Sequence, residues 1–310
     1  MTLLLLLGSG AAPGPVIPVA PEPADHVFVA WNNLIDGAVI GGGNWRPTLP
    51  LANLKNRTLV RVARSLDASP ASTWLDIDVG TFKRWRGFAV QDHNLTLAAL
   101  YRLRASYDPA HTSTDYDSGW RDVWPPVYDE GELEWGDVNF WERTYSEDER
   151  RGYIWHLIDR LPQATDARYI RLELYDPLNP ASFVQLGRIF IGGSSWVPSS
   201  NIATGGSLGW EDDSEILQAV GGAEYFNELP RYRVARFTIN NLGNDEAYGK
   251  AFELIRQAGR TREVLIMWNP SDTKHAIRRQ FVGRLRQLSP IEHPYPLIDS
   301  AAFEFKENQR

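Results

Sequence analysis

The chain has 310 residues, 43% of them hydrophobic, enough to bury one large core or two medium ones. It contains no cysteine, which excludes disulfides, thiolate metal sites and cysteine nucleophiles together. Its net charge of −7 is uneven: between residues 107 and 149, thirteen acids face only Arg121 and Arg143, so that stretch carries −11 and the remainder about +4. An acidic surface of this kind disfavours nucleic acid and anionic membrane as its partners.

In chain order, the apolar run at 3–7 is shorter than a signal-peptide core, and no Lys or Arg precedes it. It is also far below the roughly 20 residues of a membrane span, so no membrane insertion is expected. It reads as a short strand, and Pro13, Pro15, Pro18, Pro21 and Pro23 follow as a stiff extended linker. Residues 1–24 therefore form an arm suited to reaching a neighbouring subunit.

A first domain is expected over 25–195. The Gly41, Gly42, Gly43 run is not followed by a Lys-Ser/Thr pair, so it reads as a flexible turn rather than a phosphate loop. Trp74, Ile77 and Val79 read as a strand ended by Gly80, and Phe88, Ala89 and Val90 as a third strand closed by the corner Gln91-Asp92-His93-Asn94. Leu100, Leu103 and Ala105 alternate with Tyr101, Arg102 and Arg104, the pattern of a half-buried strand. The clearest alternation sets Ile170, Leu172 and Leu174 against Tyr169, Arg171, Glu173 and Tyr175. Short strands with turn punctuation indicate an antiparallel sandwich.

Taken in order, Trp74, Asp76, Asp78 and Gly80, then Arg168, Tyr169, Ile170 and Arg171, then Gly187, Arg188 and Ile189 resemble the discoidin-like (galactose-binding-like, coagulation factor 5/8 C-type) β-sandwich. The early Leu-Ala-Asn-Leu at 51–54 and the corner His93, Asn94, Leu95 resemble sandwiches carried by bacteriophage tail proteins. The resemblance covers about half of the chain.

A second domain is expected over 196–310, after a Ser- and Gly-rich boundary. It reads as a strand at 232–240 and a helix at 245–258, capped by Asn244 and stopped by Gly259. Ala247, Ala251, Leu254, Ile255 and Ala258 form its buried stripe. Strands at 263–268, 279–288 and 300–306 follow. This order resembles the α+β split barrel of phage tail-tube and distal-tail proteins. The fold class expected is thus mainly β, a discoidin-like sandwich followed by a smaller split-barrel assembly domain with one helix.

The acidic stretch belongs to an insert at 107–155 that holds Trp120, Trp124, Trp135, Trp141 and Trp155. Tryptophan faces stack on sugar rings and carboxylates accept their hydroxyl hydrogens, so Trp120, Trp124, Trp135 and Trp141 are the candidate saccharide or partner contacts. The opposing reading is that these rings pack the loop onto its own sandwich. Carboxylate pairs such as Asp115/Asp117 and Glu132/Glu134 arise by chance among so many acids, and none has EF-hand spacing. No His-Glu-x-x-His motif is present, and His93, at a strand-end corner, suits a turn hydrogen bond. No catalytic, cofactor or metal residue is assigned, and no enzymatic activity is expected. Arg278, Arg279, Arg284 and Arg286 are candidate inter-subunit or channel-lining cations, with two of them on one side of a strand.

The resemblance implies a structural component of a long non-contractile phage tail tip or baseplate. Such a protein forms a ring, a hexamer or trimer, that joins the tube to the host-adsorption apparatus within the virion tail, after assembly in the host cytoplasm. Its partners would be itself and tube and hub proteins, with DNA only passing through a channel. The alternative is a carbohydrate-binding module for a host-surface saccharide.

Overall fold

A computed structural model describes residues 22–219 and 221–310; the run at 3–7 and the prolines through Pro21 lie outside them. The architecture is mainly β and antiparallel, as expected. The first half comprises β1 (Phe28–Asn33), β2 (Val39–Gly41), β3 (Ala63–Arg64), β4 (Trp74–His93), β5 (Leu100–Ser106), β6 (Thr114–Asp117), β7 (Arg121–Asp122), β8 (His156–Tyr175) and β9 (Gln185–Trp196). The second half adds β10 (Ser207–Glu211), β11 (Glu215–Gln218), β12 (Glu224–Asn227), β13 (Tyr232–Leu242), β14 (Glu263–Met267), β15 (Gln280–Leu285), β16 (Ile291–Tyr295) and β17 (Ile298–Glu307).

The sandwich is made by two 20-residue strands, β4 and β8, that pair along their length. Leu75 and Ile77 from the first half of β4 and Phe88 and Val90 from its second half meet in one core, so the sheet folds back on itself. Gly80, expected to end a strand, instead sits within β4 at a φ of 83°, with its N–H donating to Asp78 Oδ1 at 2.7 Å. The ladder shifts register there, where β4 carries the extra residues at 79–82, and again between Trp85 and Gly87, where β8 carries them as a bulge at 161–164. Such a bulge bends the strand without ending it, which is why two expected strands are one.

In β8, Ile170, Leu172 and Leu174 are buried and their neighbours face outward, as the alternation requires. In β5 the inward residues are Tyr101, Leu103 and Ala105; Tyr101 replaces Leu100 on the buried side, because a strand's period of two places 101 with 103 and 105. Four of the residues that carry the family resemblance pair side chain to side chain between β4 and β8. Arg171 grips Asp76 with two bonds of 2.5 Å and lies over the Trp74 ring at 4.7 Å, and Arg168 grips Asp78 at 2.8 and 2.9 Å. They lace the outer face of β4 to β8. The glycine turn is packed tightly rather than loose: Gly43 has a φ of 58°, and a Cβ there would lie 2.4 Å from Ser72 and Trp74 carbonyl oxygens.

Among the described residues, β1 joins the two halves, since it pairs with β9 on one side and β14 on the other. The sheet therefore continues through β15, β17 and β13 to β10. Val29 and Trp31 of β1 face a second core containing Phe237, Leu254, Ile266 and Phe303, while Phe28 and Ala30 face a small cluster with Ala89, Phe190 and Leu265. The helix at 244–258 closes the second core with Ala247, Ala251, Leu254 and Ala258 of the expected stripe, and its fifth member, Ile255, packs there partly buried. Its N-cap is Gly243 rather than Asn244, and residues Ala247–Phe252 form a π-helical stretch. The strand expected at 279–288 is shorter, because Ala276–Arg279 is a helical turn that leads into β15.

One buried ion pair crosses the junction, and a second, within the second half, is reached across it by a histidine. Arg188, fully buried on β9, binds both carboxylate oxygens of Glu263 on β14 at 3.1 and 3.0 Å. Arg233 of β13 pairs with Glu307 of β17, whose other neighbour is His156 of β8 at 3.4 Å. Burial works against the Glu307 carboxylate, yet Arg233 and His156 hold its pKa down at about 2. Removing one partner of such a buried pair costs about 3–5 kcal/mol.

Candidate functional site

The insert leaves the sandwich after β5 and returns at β8, and its two parts are built differently. The inner part packs on the first core through Val123, Trp124, Val127 and Tyr145. Trp124 is only 6% exposed, donates its indole N–H to Leu95 O at 3.3 Å, and meets Trp155 edge-on at 5.7 Å and His93 at 5.8 Å. Trp124 is therefore corrected from a contact candidate to a core residue. His93 accepts the turn bond from Leu95 N at 3.2 Å, as its corner position suggests. Burial, with His156 nearby, drives its pKa down to about 3.

This inner part also grips the second half of the chain. The Tyr145 hydroxyl lies 3.1 and 3.0 Å from the carbonyls of Thr273 and Lys274. A capping box of Ser146 and Glu149 starts a helical turn (Glu147–Arg150). Burial opposes the Glu149 carboxylate, but bonds from Tyr128, Ser146 and Arg278 hold its pKa below the ordinary value. Burial and the Glu149 bond push the Tyr128 hydroxyl up to about 12. Lys274 pairs with Glu132.

The outer part, roughly 129–143, is punctuated by Gly131 and Gly136 at φ of 84° and 113°. It holds Trp135 at 81% and Trp141 at 76% exposure, joined through half-buried Phe140. Ring centroids are 5.8 Å apart for Trp135–Trp141, 5.6 Å for Trp135–Phe140 and 5.2 Å for Phe140–Trp141, all edge-to-face. Asn139 anchors this cluster from below with a 2.5 Å bond to Thr144 O. Glu130, Glu134, Asp137 and Glu142 stand exposed around it. Of the sequence candidates, Trp135 and Trp141 are thus brought together. Trp120 stands against Tyr175 at 6.2 Å and is 48% exposed. Phe140 was not singled out, although its place directly before Trp141 is a legible sign.

The basic candidates are largely satisfied inside the chain. Arg278 pairs with Glu149 at 2.9 Å, Arg279 with Asp272 at 2.6 Å, and Arg286 with Glu211 and Glu304 at 2.5 and 3.2 Å. Arg284 alone of the four is exposed without an acidic partner among the described residues. Arg278 and Arg279 lie on a helical turn, whereas Arg284 and Arg286 flank buried Leu285 on the open side, with Arg286 N still bonded to Glu304 O at 2.8 Å just past the end of β15. Of the paired carboxylates, Asp117 is held by Arg102 at 2.9 and 2.5 Å. A Gly-x-Ser-x-Gly spacing at 205–209 places Ser207 at the start of β10, not at a strand-to-helix elbow. Among the described residues no cluster of potential metal ligands occurs, and no helix is long and apolar enough to cross a membrane.

No protein-family model matches the chain, and no curated protein matches it. Among solved structures, a CBM32 domain produced by Clostridium perfringens is 15% identical over 52% of this chain and 98% of its own, with a TM-score of 0.31. The CBM32 of AlyQ in complex with 4,5-unsaturated mannuronic acid is 13% identical over 53% of this chain and 98% of its own, also at 0.31. A family 89 glycoside hydrolase from Clostridium perfringens is 12% identical over 52% of this chain, at 0.35; the matched part is 14% of that enzyme's length. At these scores the ligands and activities of those proteins stay with them.

Proposed function

We propose that this chain is a saccharide-binding β-sandwich protein whose contact surface is the outer part of the insert. The observation that carries the reading is the exposed Trp135–Phe140–Trp141 cluster, with both tryptophans more than three-quarters open among the described residues. Edge-to-face contact stabilises the cluster, while its outward ring surfaces form a contiguous apolar patch in water, the kind that marks a contact site. The surrounding carboxylates accept hydroxyl hydrogens and repel acidic sugars, so the ligand class is a neutral saccharide. The reading is binding without bond cleavage: one member of each carboxylate pair, Asp117 and Glu132, is engaged by a cation. A glycan array probed with the full chain should return neutral glycans. Trp135→Ala and Trp141→Ala should each weaken binding about tenfold or more, whereas retained binding in the double variant would remove the reading.

A second reading is a self-assembling structural component, of which the ring of a phage tail tip is one form; one separate observation favours self-assembly. The β11–β12 hairpin stands outside the main sheet with its apolar side chains exposed. Apolar side chains left open on a separate hairpin suit an element that is covered on assembly.

A further inference from the structure

The β11–β12 ribbon pairs Ile216 with Phe226 and Leu217 with Tyr225. Successive residues of a strand point to opposite faces, so each face of the ribbon carries one aliphatic-aromatic pair. These four side chains are 64%, 62%, 61% and 64% exposed, respectively. A two-stranded hairpin is marginal in water, and apolar pairs on both faces call for cover on both. The root is well fixed: Leu229 N donates to Ser214 Oγ at 2.8 Å, Arg231 meets Asp212 at 3.1 Å, and Lys306 meets Asp213 at 3.2 Å. The tip is a projecting arm on a firm base.

The arm is acidic throughout. Residues 211–230 contain six carboxylates and no Lys, Arg or His. The three at the root are paired, while Glu215, Glu224 and Glu228 are exposed with no cation beside them among the described residues.

The opposite charge sits elsewhere on the chain. Beside the bulge of β8, a cleft of about 940 Å³ lies between the β4–β8 pair and the helix at 244–258. Arg84, Arg86, Arg160 and Lys250 line it. Glu22 answers only Arg86 and, at 3.7 Å, Arg160, and the other acid in the wall, Glu253, is held by Arg256 and Gln257. Arg84 and Lys250 have no acidic partner among the described residues. Phe82, two positions from Arg84 on the same strand, is 60% exposed. The bound Glu22 shows that this arginine pair accepts a carboxylate.

From this complementarity we infer that the acidic hairpin arm of one copy docks in the cationic cleft of a second copy. Arm and cleft are different surfaces, so the contact is heterologous and each copy offers one of each, which propagates into a ring or an open string. The inference rests on the assembly reading and names its contact.

Sedimentation velocity on the full chain over a concentration series provides the test. The chain should associate, less so as salt is raised. Arg84→Glu with Lys250→Glu should weaken association at least tenfold, as should Glu215→Lys with Glu224→Lys and Glu228→Lys. Mixing the two charge-reversed variants should restore it, because each then presents the charge that the other lacks. Restoration excludes misfolding as the cause of the loss. A wild-type chain that stays monomeric at all concentrations overturns both the inference and the assembly reading. A wild-type chain that associates while both charge-reversed variants associate equally well, or while their mixture stays apart, overturns the inference alone.

Discussion

Trp124 and Trp135 belong to one loop, yet the first is 6% exposed and the second 81%. Their neighbours explain the difference. Trp124 lies between Val123 and Val127, which share its burial, so the segment gains by folding onto the sandwich. Trp135 lies between Glu134 and Gly136, with Asp137 beyond, and burying it would drag charged groups and a turn out of water. Tryptophan content alone therefore does not distinguish a contact platform from a core plug; the polarity of the flanking residues does.

The largest expected effect tests that division directly. Trp124→Ala leaves a cavity beside His93 and Trp155 and should destabilise the chain by about 3–5 kcal/mol in urea unfolding. Trp135→Ala should change stability by no more than about 0.5 kcal/mol. Equal effects would erase the distinction between inner and outer parts.

Acid should separate the same two parts next. His93 is buried neutral, with its pKa lowered from 6.5 to about 3. The unfolded chain takes up that proton near pH 6.5 and the folded chain does not until about 3. Stability from this group is therefore complete above 6.5 and declines as pH falls through that window. His156 is shifted in the same direction by burial. The urea midpoint should drop between pH 7.5 and pH 5, with a change in Trp124 and Trp155 fluorescence, and His93→Gln should make the drop shallower. A midpoint independent of pH would show that His93 is not held neutral.

The smallest effect concerns the attachment of the insert to the second half. Tyr145→Phe removes the hydroxyl that reaches the Thr273 and Lys274 carbonyls and should cost about 1–2 kcal/mol. Hydrogen exchange at 272–279 should rise with it. If only the insert loosens, Tyr145 serves its own loop and not the junction.

Much of the fold was legible because its signals are local. The alternation at 169–175 appears as the buried and open faces of β8, and the expected helix stripe of Ala247, Ala251, Leu254 and Ala258 faces the second core. The corner at His93 and Asn94 is also where expected, since Asn94 binds Phe183 O and Gln185 N across the turn. Gly80 misled because glycine marks both an end and a bulge, and only the partner strand tells them apart. At the candidate site, the richness of the insert in tryptophan was visible, but the split between Trp124 and the Trp135–Trp141 pair was not drawn from it.

The sequence by itself determined the antiparallel β character, the faces of β8, the helix stripe and the chain's uneven charge. These depend on period and composition, which neighbouring residues set. Only the tertiary structure decided that β1 bridges two cores, that Arg188 finds Glu263, and that three of the four candidate arginines are paired at home. It also decided which rings remain open and that the acidic hairpin stands free of the main sheet. Apolar burial is non-directional and ion pairs reach across any separation in the chain, so the partner of a buried or charged side chain is settled by the whole fold.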